Sequence, residues 1–328
     1  MNSFRTFLLC SIIVGVSLSG CQQTPKGTPP RKIAGIVFQE DQFFRLVLFG
    51  MRNAAAQEGV QLLEANSAGR PDKEIQLVNT YIAQGVDAIV ISPLSARASM
   101  SALERARSKG ITVITYNTTV ERDIPASYIE SDQVALGAST GRAARTFIER
   151  SFGGKATVAL LAFDSQAPEQ SRARTEGFVR ELQSLPGVRI VAAQDAWLAE
   201  LAVKKAGDIL TANPDVNVFW AANEGGTVGA VMAVKNSGKA GRVVVFGTDT
   251  GEQLADFLLA GDGILQAVTG QQPFAIGARS VSTAVKVLKG ESVDKKISLP
   301  GRLLTRERPD EVRQFKEELQ KTLNSGNP

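Results

Sequence analysis

The chain has 328 residues, of which 43% are hydrophobic and 21% charged, and its net charge is +4. This is the composition of a globular protein with room for about two domains, and the scattered basic residues disfavour a nucleic-acid-binding surface. The sequence has no histidine, which excludes mechanisms that need an imidazole base and removes the commonest metal ligand.

Residues 1–20 have the organisation of a signal peptide. A basic start precedes the apolar run FLLCSIIVGVSL, which is too short to span a bilayer. The next residues, LSGC, resemble the bacterial lipobox, and this resemblance implies cleavage before Cys21 and lipidation of its thiol. The alternative is an ordinary signal peptide with a chance cysteine. Residues 21–31, rich in Pro, Gln and Thr, are predicted to be a tether, and the exported domain is predicted to have no disulfide because Cys10 leaves with the signal.

Short apolar segments then alternate with amphipathic ones. The predicted strands of the first half are KIAGIVF, VQLLEA, VDAIVISP and ITVITYN, and those of the second half are ATVALLAF, RIVAAQ, NVFWAAN and RVVVFGTD. Helical patterns separate them, and two late helices, PFAIGARSVSTAVKVLKG and PDEVRQFKEELQKTL, follow. This alternation indicates parallel sheets covered by helices on both faces. Because the pattern restarts, it predicts two similar α/β lobes joined near residues 130–134.

Ligands of open parallel sheets bind beyond the carboxyl ends of the strands. Asp41, Phe43 and Phe44 follow the first strand, and Trp197 and Arg172 follow strands of the second half. Short polar side chains follow other strands: Ser92, Asn117, Asn223, Asp249 and Gln271, the last after a further strand candidate, ILQAVTG. A sugar presents hydroxyl edges and apolar C–H faces, so acids and amides next to aromatic rings suit it. We therefore predict a sugar site in which Asp41 binds hydroxyls and a phenylalanine covers a ring face.

Structural roles compete with these assignments. The phenylalanines and Trp197 could belong to the core, and Asn223 and Asp249 could cap helices. Arg174 is expected to be the more solvated of the two arginines in SRARTEGF. The segment GASTG, residues 137–141, matches a serine-nucleophile pattern, but it lies in a helical pattern and is expected to serve close helix packing.

An ordered set of segments resembles a known family. VNTYIAQGVDAIVISP, KGITVITYN, SRARTEGF, LTANPDVNVFWAANE, VVVFGTD and GQQPFAIGA resemble the ribose-type sugar-binding proteins of bacterial ABC importers, which are type I periplasmic binding proteins. The resemblance implies an α/β fold of two Rossmann-like three-layer lobes, joined by three crossovers, that close on the ligand by a hinge. Residues 32–132 with 272–300 would form the N-terminal lobe, and 133–271 with 301–328 the C-terminal lobe.

The resemblance also implies roles for single residues. Asp41, Phe43 and Phe44 would grip the sugar, Arg172 would bind hydroxyls and Trp197 would supply an aromatic of the second lobe. Asn223, Asp249 and Gln271 match a polar trio of the family, and Ser92 stands where Asn is common. Asn117 and Thr118 replace an Asp–Arg pair, which argues against ribose because charge-assisted hydrogen bonds are about twice as strong as neutral ones. Another pentose, a hexose or a polyol is expected.

The sequence thus predicts a lipid-anchored, extracytoplasmic solute-binding protein and not an enzyme. It would be a monomer without cofactor or metal that captures a monosaccharide or polyol and delivers it to the permease of an ABC importer. Its membrane contact would be the lipid on Cys21. The alternative is a sensor component that presents a sugar or a furanose-like signal molecule to a chemoreceptor or histidine kinase. Aromatic residues beside acids also suit an organic cation, so this ligand class stays open.

Overall fold

The computed structural model describes residue 1 and residues 29–325. The predicted signal peptide, Cys21 and most of the tether lie outside the described residues. The described residues from 31 onward form one compact unit. None of the helices in the described part combines the length and the hydropathy that a membrane span requires.

Strands and helices alternate along the described chain. The strands are β1 (Lys32–Val37), β2 (Gln61–Asn66), β3 (Ala88–Ile91), β4 (Thr112–Tyr116), β5 (Ser127–Ser131), β6 (Lys155–Ala162), β7 (Gly187–Asp195), β8 (Val218–Ala221), β9 (Val244–Thr248), β10 (Leu265–Gly270), β11 (Lys296–Leu299) and β12 (Arg302–Thr305). The helices are α1 (Gln42–Glu58), α2 (Pro71–Ala83), α3 (Met100–Ser108), α4 (Gln133–Phe152), α5 (Pro168–Leu182), α6 (Ala199–Ala212), α7 (Glu224–Asn236), α8 (Glu252–Leu259), α9 (Pro273–Leu288) and α10 (Pro309–Ser325).

The strands form two six-stranded sheets of matching design. The first has the order β11-β5-β4-β3-β1-β2 and is parallel throughout, and the second has the order β12-β10-β9-β8-β6-β7. In the second sheet only β12 runs antiparallel. We call each sheet with its packed helices a lobe. The first lobe includes α9 against α1 and β4, and the second includes α4 against α5 and β10. The predicted fold class is confirmed.

Three strands lie outside the sequence prediction, and their positions explain why. β11 and β12 are four-residue strands at sheet edges, and every second residue of β11 is exposed. β5 alternates between buried and half-buried residues, so it has no continuous apolar run. A strand whose residues are partly exposed carries too little hydrophobic pattern to be recognised beside the buried strands.

Glycines let the helices pack backbone to backbone. A Cβ on Gly137 of α4 would lie 1.8 Å from the carbonyl oxygen of Arg174 in α5, and a Cβ on Gly177 would lie 2.0 Å from that of Val134. In the first lobe, a Cβ on Gly277 of α9 would lie 1.9 Å from the carbonyl oxygen of Val47 in α1. The expectation that the small residues of GASTG serve helix packing is therefore confirmed.

The chain passes between the two sheets three times. The passages lie between β5 and α4, between β10 and α9, and between β11 and β12. The Gln272 side-chain amide donates to the carbonyl oxygen of Pro300 at 2.9 Å and so ties the second passage to the third. Three short connections side by side form a narrow link between the lobes.

Candidate functional site

A cleft of about 480 Å³ opens between the carboxyl ends of the two sheets. Its walls come from the segments after β1, β3 and β4 in the first lobe and after β6, β8, β9 and β10 in the second. Seven of the ten predicted ligand residues line it: Asp41, Phe43, Phe44, Asn117, Asn223, Asp249 and Gln271. Ser92, Arg172 and Trp197 do not line it.

The segment after β1 supplies an acid and an aromatic ring. Asp41 caps α1, since its Oδ1 accepts from the backbone N–H of Phe44 at 2.9 Å, and its Oδ2 accepts from the side chain of Gln39. Phe44 is only 3% exposed and packs on Phe38 with ring centroids 4.4 Å apart. Phe43 is half-buried and meets Phe44 edge to face at 5.1 Å. Phe44 is thus a core residue at the cleft wall, and Phe43 offers the accessible ring.

Hydroxyl groups of neighbouring side chains form hydrogen bonds around Asn117 and Thr118 in the first lobe. The Asn117 backbone has a φ of 58°, a conformation that few residues other than glycine adopt, and its carbonyl oxygen accepts from the Tyr128 hydroxyl at 2.8 Å. Ser92 is fully buried, and its Oγ lies 2.9 Å from Oγ1 of Thr118. Since Thr118 donates its one hydroxyl proton to the carbonyl oxygen of Pro93 at 2.7 Å, Ser92 is the donor to Thr118. Ser92 therefore supports Thr118 from behind.

Arg174, not Arg172, reaches the cleft, so the expectation of a solvated Arg174 was wrong. Arg174 is 2% exposed, whereas Arg172 is exposed to solvent. Residues two apart on a helix face opposite sides, and the close contact between α4 and α5 buries the side of Arg174. Its Nη1 donates to the carbonyl oxygen of Ala222 at 2.8 Å and lies 3.2 Å from Oδ1 of Asp249, while its Nε donates to Oε1 of Gln133 at 2.8 Å.

Asp249 holds the second lobe's side of the site together. Its φ is 72°, so it repeats after β9 the unusual backbone that Asn117 has after β4. Besides the ion pair with Arg174, its Oδ2 accepts from the backbone N–H of Glu224 at 3.1 Å. Backbone conformations of this kind persist where the surroundings impose them, and they concentrate at ligand sites.

Asn223 is the N-cap of α7, one of the alternatives raised by the sequence. Its Oδ1 accepts from the backbone N–H of Gly226 at 3.0 Å, and its Nδ2 donates to the carbonyl oxygen of Trp197 at 2.9 Å. The Trp197 side chain is half-buried and packs against the core of the second lobe. At the hinge end of the cleft, Oε1 of Gln271 is buried without a hydrogen-bond partner among the described residues.

Sequence reasoning missed further cleft residues. Phe163 is 4% exposed, and its ring lies under the Arg174 guanidinium, with 5.1 Å between the ring centroid and Cζ of Arg174. Glutamine side chains also line the walls: Gln39, Gln42, Gln166 and Gln170. Glu224 lines the cleft as the first residue of α7. Four of the six, namely Gln39, Phe163, Gln166 and Glu224, lie within one to four residues of a strand end. The same positional rule, applied to every residue in that window, would have found them.

Glu224 is the most perturbed acid of the cleft. Loss of hydration where the cleft walls cover its carboxylate, followed by the negative charges of Asp249 and Asp41, raises the pKa of Glu224 to about 7. Its side chain is still partly open to solvent at the cleft mouth. The described residues contain no group of three acidic, histidine or cysteine side chains placed to hold a metal ion.

Comparisons with known proteins agree on one family. The periplasmic binding protein domain matches residues 36–292. The ribose import binding protein RbsB of Escherichia coli is 31% identical over 268 residues, which cover 81% of this chain and 87% of that protein. The ABC transporter periplasmic-binding protein YphF of Escherichia coli is 29% identical over 304 residues, covering 90% and 91%.

A solved structure extends the likeness to the fold. It is an ABC transporter periplasmic solute-binding protein of Actinobacillus succinogenes with bound D-allose. It superposes with a TM-score of 0.75 at 24% identity and covers 86% of this chain and 99% of its own. The α/β fold is thus common to both.

Proposed function

Because this chain belongs to the sugar-binding family of type I periplasmic binding proteins, we propose that it captures a monosaccharide or polyol between its lobes and delivers it to the permease of an ABC importer. The family consists of binding proteins rather than enzymes, and it acts outside the cytoplasm. We also propose that the protein is a monomer and that a lipid on Cys21 anchors it to the membrane.

The observation that carries the proposal is the composition of the cleft. Its walls combine an accessible ring, Phe43, with carboxylate and amide groups from both lobes, including Asp41, Asn117, Asp249 and Gln271. A hydroxylated ring or chain needs both kinds of surface. The buried Oε1 of Gln271 has no partner among the described residues, and a hydroxyl of the ligand would satisfy it. An unsatisfied buried acceptor costs about 1–3 kcal/mol.

We assign the lobes as residues 32–132 with 272–300 and residues 133–271 with 301–328. A ligand that contacts both lobes favours the closed form by its differential affinity for the two states. Phe43 and Asn117 would act from the first lobe, and Arg174 and Asp249 from the second. The permease would then read the surface that closure creates.

The ligand is expected to differ from ribose. Asn117 and Thr118 stand where the ribose-type resemblance implies an Asp–Arg pair, and the Thr118 hydroxyl is engaged with Pro93 and Ser92. The first lobe therefore offers a neutral amide and no guanidinium at this point. Such a wall favours a ligand whose hydroxyl groups are arranged differently from those of ribose, such as a hexose, another pentose or a polyol.

Thermal unfolding of the purified protein with a panel of pentoses, hexoses, hexitols and cyclitols tests the proposal. A ligand that binds the native state raises the unfolding free energy by RT ln(1 + [L]/Kd), about 2.7 kcal/mol at a hundredfold excess over Kd. We expect one stereochemical set to raise the midpoint and Asp249→Asn to reduce the shift. No shift with any member of the panel would contradict the proposal.

The lipid anchor needs its own experiment. Cells that express the wild type or Cys21→Ser are fractionated into membrane and soluble proteins, with metabolic labelling by a fatty acid. We expect the wild type to be labelled and membrane-bound, and the variant to lack the label. An unlabelled, soluble wild type would show that residues 1–20 are an ordinary signal peptide.

A further inference from the structure

The charges that line the cleft do not balance. Three carboxylates face it, those of Asp41, Glu224 and Asp249, and the only lining cation among the described residues is Arg174. Arg174 is already committed, because its guanidinium pairs with Asp249 and donates to Ala222 and Gln133 while only 2% exposed. The ion pair leaves Asp41 and Glu224 as the uncompensated charges.

These two acids come from opposite walls. Asp41 precedes α1 of the first lobe, and Glu224 begins α7 of the second. In the described part of the chain neither carboxylate has an ion pair, and the Glu224 carboxylate lies so close over Gly251 that a Cβ there would meet Oε1 at 2.6 Å. Each acid is held at the cleft by its helix start, so lobe closure around a ligand brings two negative charges into a less polar space.

A neutral ligand does not relieve this repulsion, but a cationic one does. Charges interact more strongly as water is excluded between them, and burying unpaired carboxylates is costly. The raised pKa of Glu224, caused by loss of hydration and by the charges of Asp249 and Asp41, is consistent with the same imbalance. A metal ion is a poor candidate, because the described residues offer no cluster of three ligands for one.

We infer that the preferred ligand is an amine-bearing sugar or polyol, such as an aminocyclitol or amino sugar, whose ammonium group lies between Asp41 and Glu224. The inference rests on the proposed function, since the same cleft binds the hydroxyl groups through its amides and the ring of Phe43. That ring also suits a nearby cation, because the face of an aromatic ring attracts positive charge.

Triplets of compounds test the inference. Each consists of a neutral sugar or cyclitol, the derivative with one hydroxyl replaced by an amine, and the N-acetylated amine, which keeps the nitrogen and removes the charge. Calorimetric titration at one fixed pH gives the affinity of the wild type for each. We expect one amine to bind about tenfold or more tightly than its neutral parent, and the N-acetyl compound to lose that gain.

Charge variants locate the effect. Glu224→Gln and Asp41→Asn should each lower the ratio of amine affinity to neutral-parent affinity by about tenfold. Glu200→Gln is the matched control, because Glu200 is also exposed and in the first turn of a second-lobe helix but lies outside the cleft. Its ratio should equal that of the wild type. Unfolding midpoints of all variants establish that each is folded. If Glu224→Gln does not fold, the affinity ratio of Asp41→Asn alone tests the inference.

The outcomes separate the two proposals. A neutral parent that binds as tightly as its amine, or an N-acetyl compound as tight as the amine, overturns the amine inference and leaves the sugar-binding function standing. An unchanged affinity ratio in both charge variants also overturns it. Binding of no compound in any triplet contradicts the proposed function itself, and with it the inference.

Discussion

Replacing Arg174 with glutamine tests the pair that organises the second lobe's side of the cleft. The change removes the Nη1 donor to Ala222 and Asp249 and displaces the donor to Gln133. Hydrogen bonds to charged groups contribute about 1.5–3 kcal/mol each, and breaking a buried ion pair costs about 3–5 kcal/mol. Because the Asp249 side chain is 25% exposed and can be hydrated, we expect a loss of about 2–3 kcal/mol of unfolding free energy.

Urea unfolding of the wild type, Arg174→Gln, Asp249→Asn and the double variant measures the coupling. We expect the sum of the unfolding free energies lost in the two single variants to exceed the loss in the double variant by about 1–2 kcal/mol, since the effects of contacting residues are not additive. Arg172→Gln is the control on the same helix and should change the unfolding free energy by less than about 0.5 kcal/mol. Additive losses within about 0.5 kcal/mol would refute the argument that Arg174 acts through Asp249.

Three other predictions follow from single side chains. Phe44→Ala should lose about 3–5 kcal/mol of unfolding free energy in urea, whereas Phe43→Ala should lower ligand affinity with a smaller loss of stability; equal losses would contradict the division between core and cleft. Because the folded pKa of Glu224 is raised to about 7, its stabilising contribution is present at acidic pH and lost as pH rises through 7. The unfolding midpoint of Glu224→Gln should therefore rise relative to that of the wild type as the pH increases from about 4.5 to about 8, and a constant difference across this range would contradict this. Gly137→Ala should destabilise α4 against α5 by about 1–3 kcal/mol, while Gly207→Ala, where a Cβ meets nothing within 4 Å, should be neutral or stabilising.

Much of the fold follows from hydrophobic pattern alone. Strands such as β3 and β8 are wholly buried and flanked by helical periodicity, so both their type and their parallel pairing could be predicted. β5, β11 and β12 could not, because strands with half-exposed residues are stabilised by neighbours distant in sequence rather than by their own apolar residues.

The cleft residues also fall into those that the sequence could predict and those that it could not. The rule that ligands bind beyond strand ends correctly placed Asp41, Asn117 and Asp249 at the cleft, because the ends of buried strands can be recognised in the sequence. It failed for Arg172 and Arg174, because the choice between them depends on helix phase against α4. It failed for Ser92 because the side chain after a strand can point behind the wall as well as into the cleft, and a single sequence does not show which.

The most direct test of the central claim is calorimetric titration of the best ligand from the panel into the wild type, Asn117→Ala and Asp249→Asn. These variants alter one cleft residue in each lobe, at the two positions with matching left-handed backbone. We predict that each variant weakens binding by about tenfold or more, as expected for the loss of a ligand hydrogen bond to an amide or a carboxylate. Unchanged affinity in both variants would show that the ligand does not lie between the lobes.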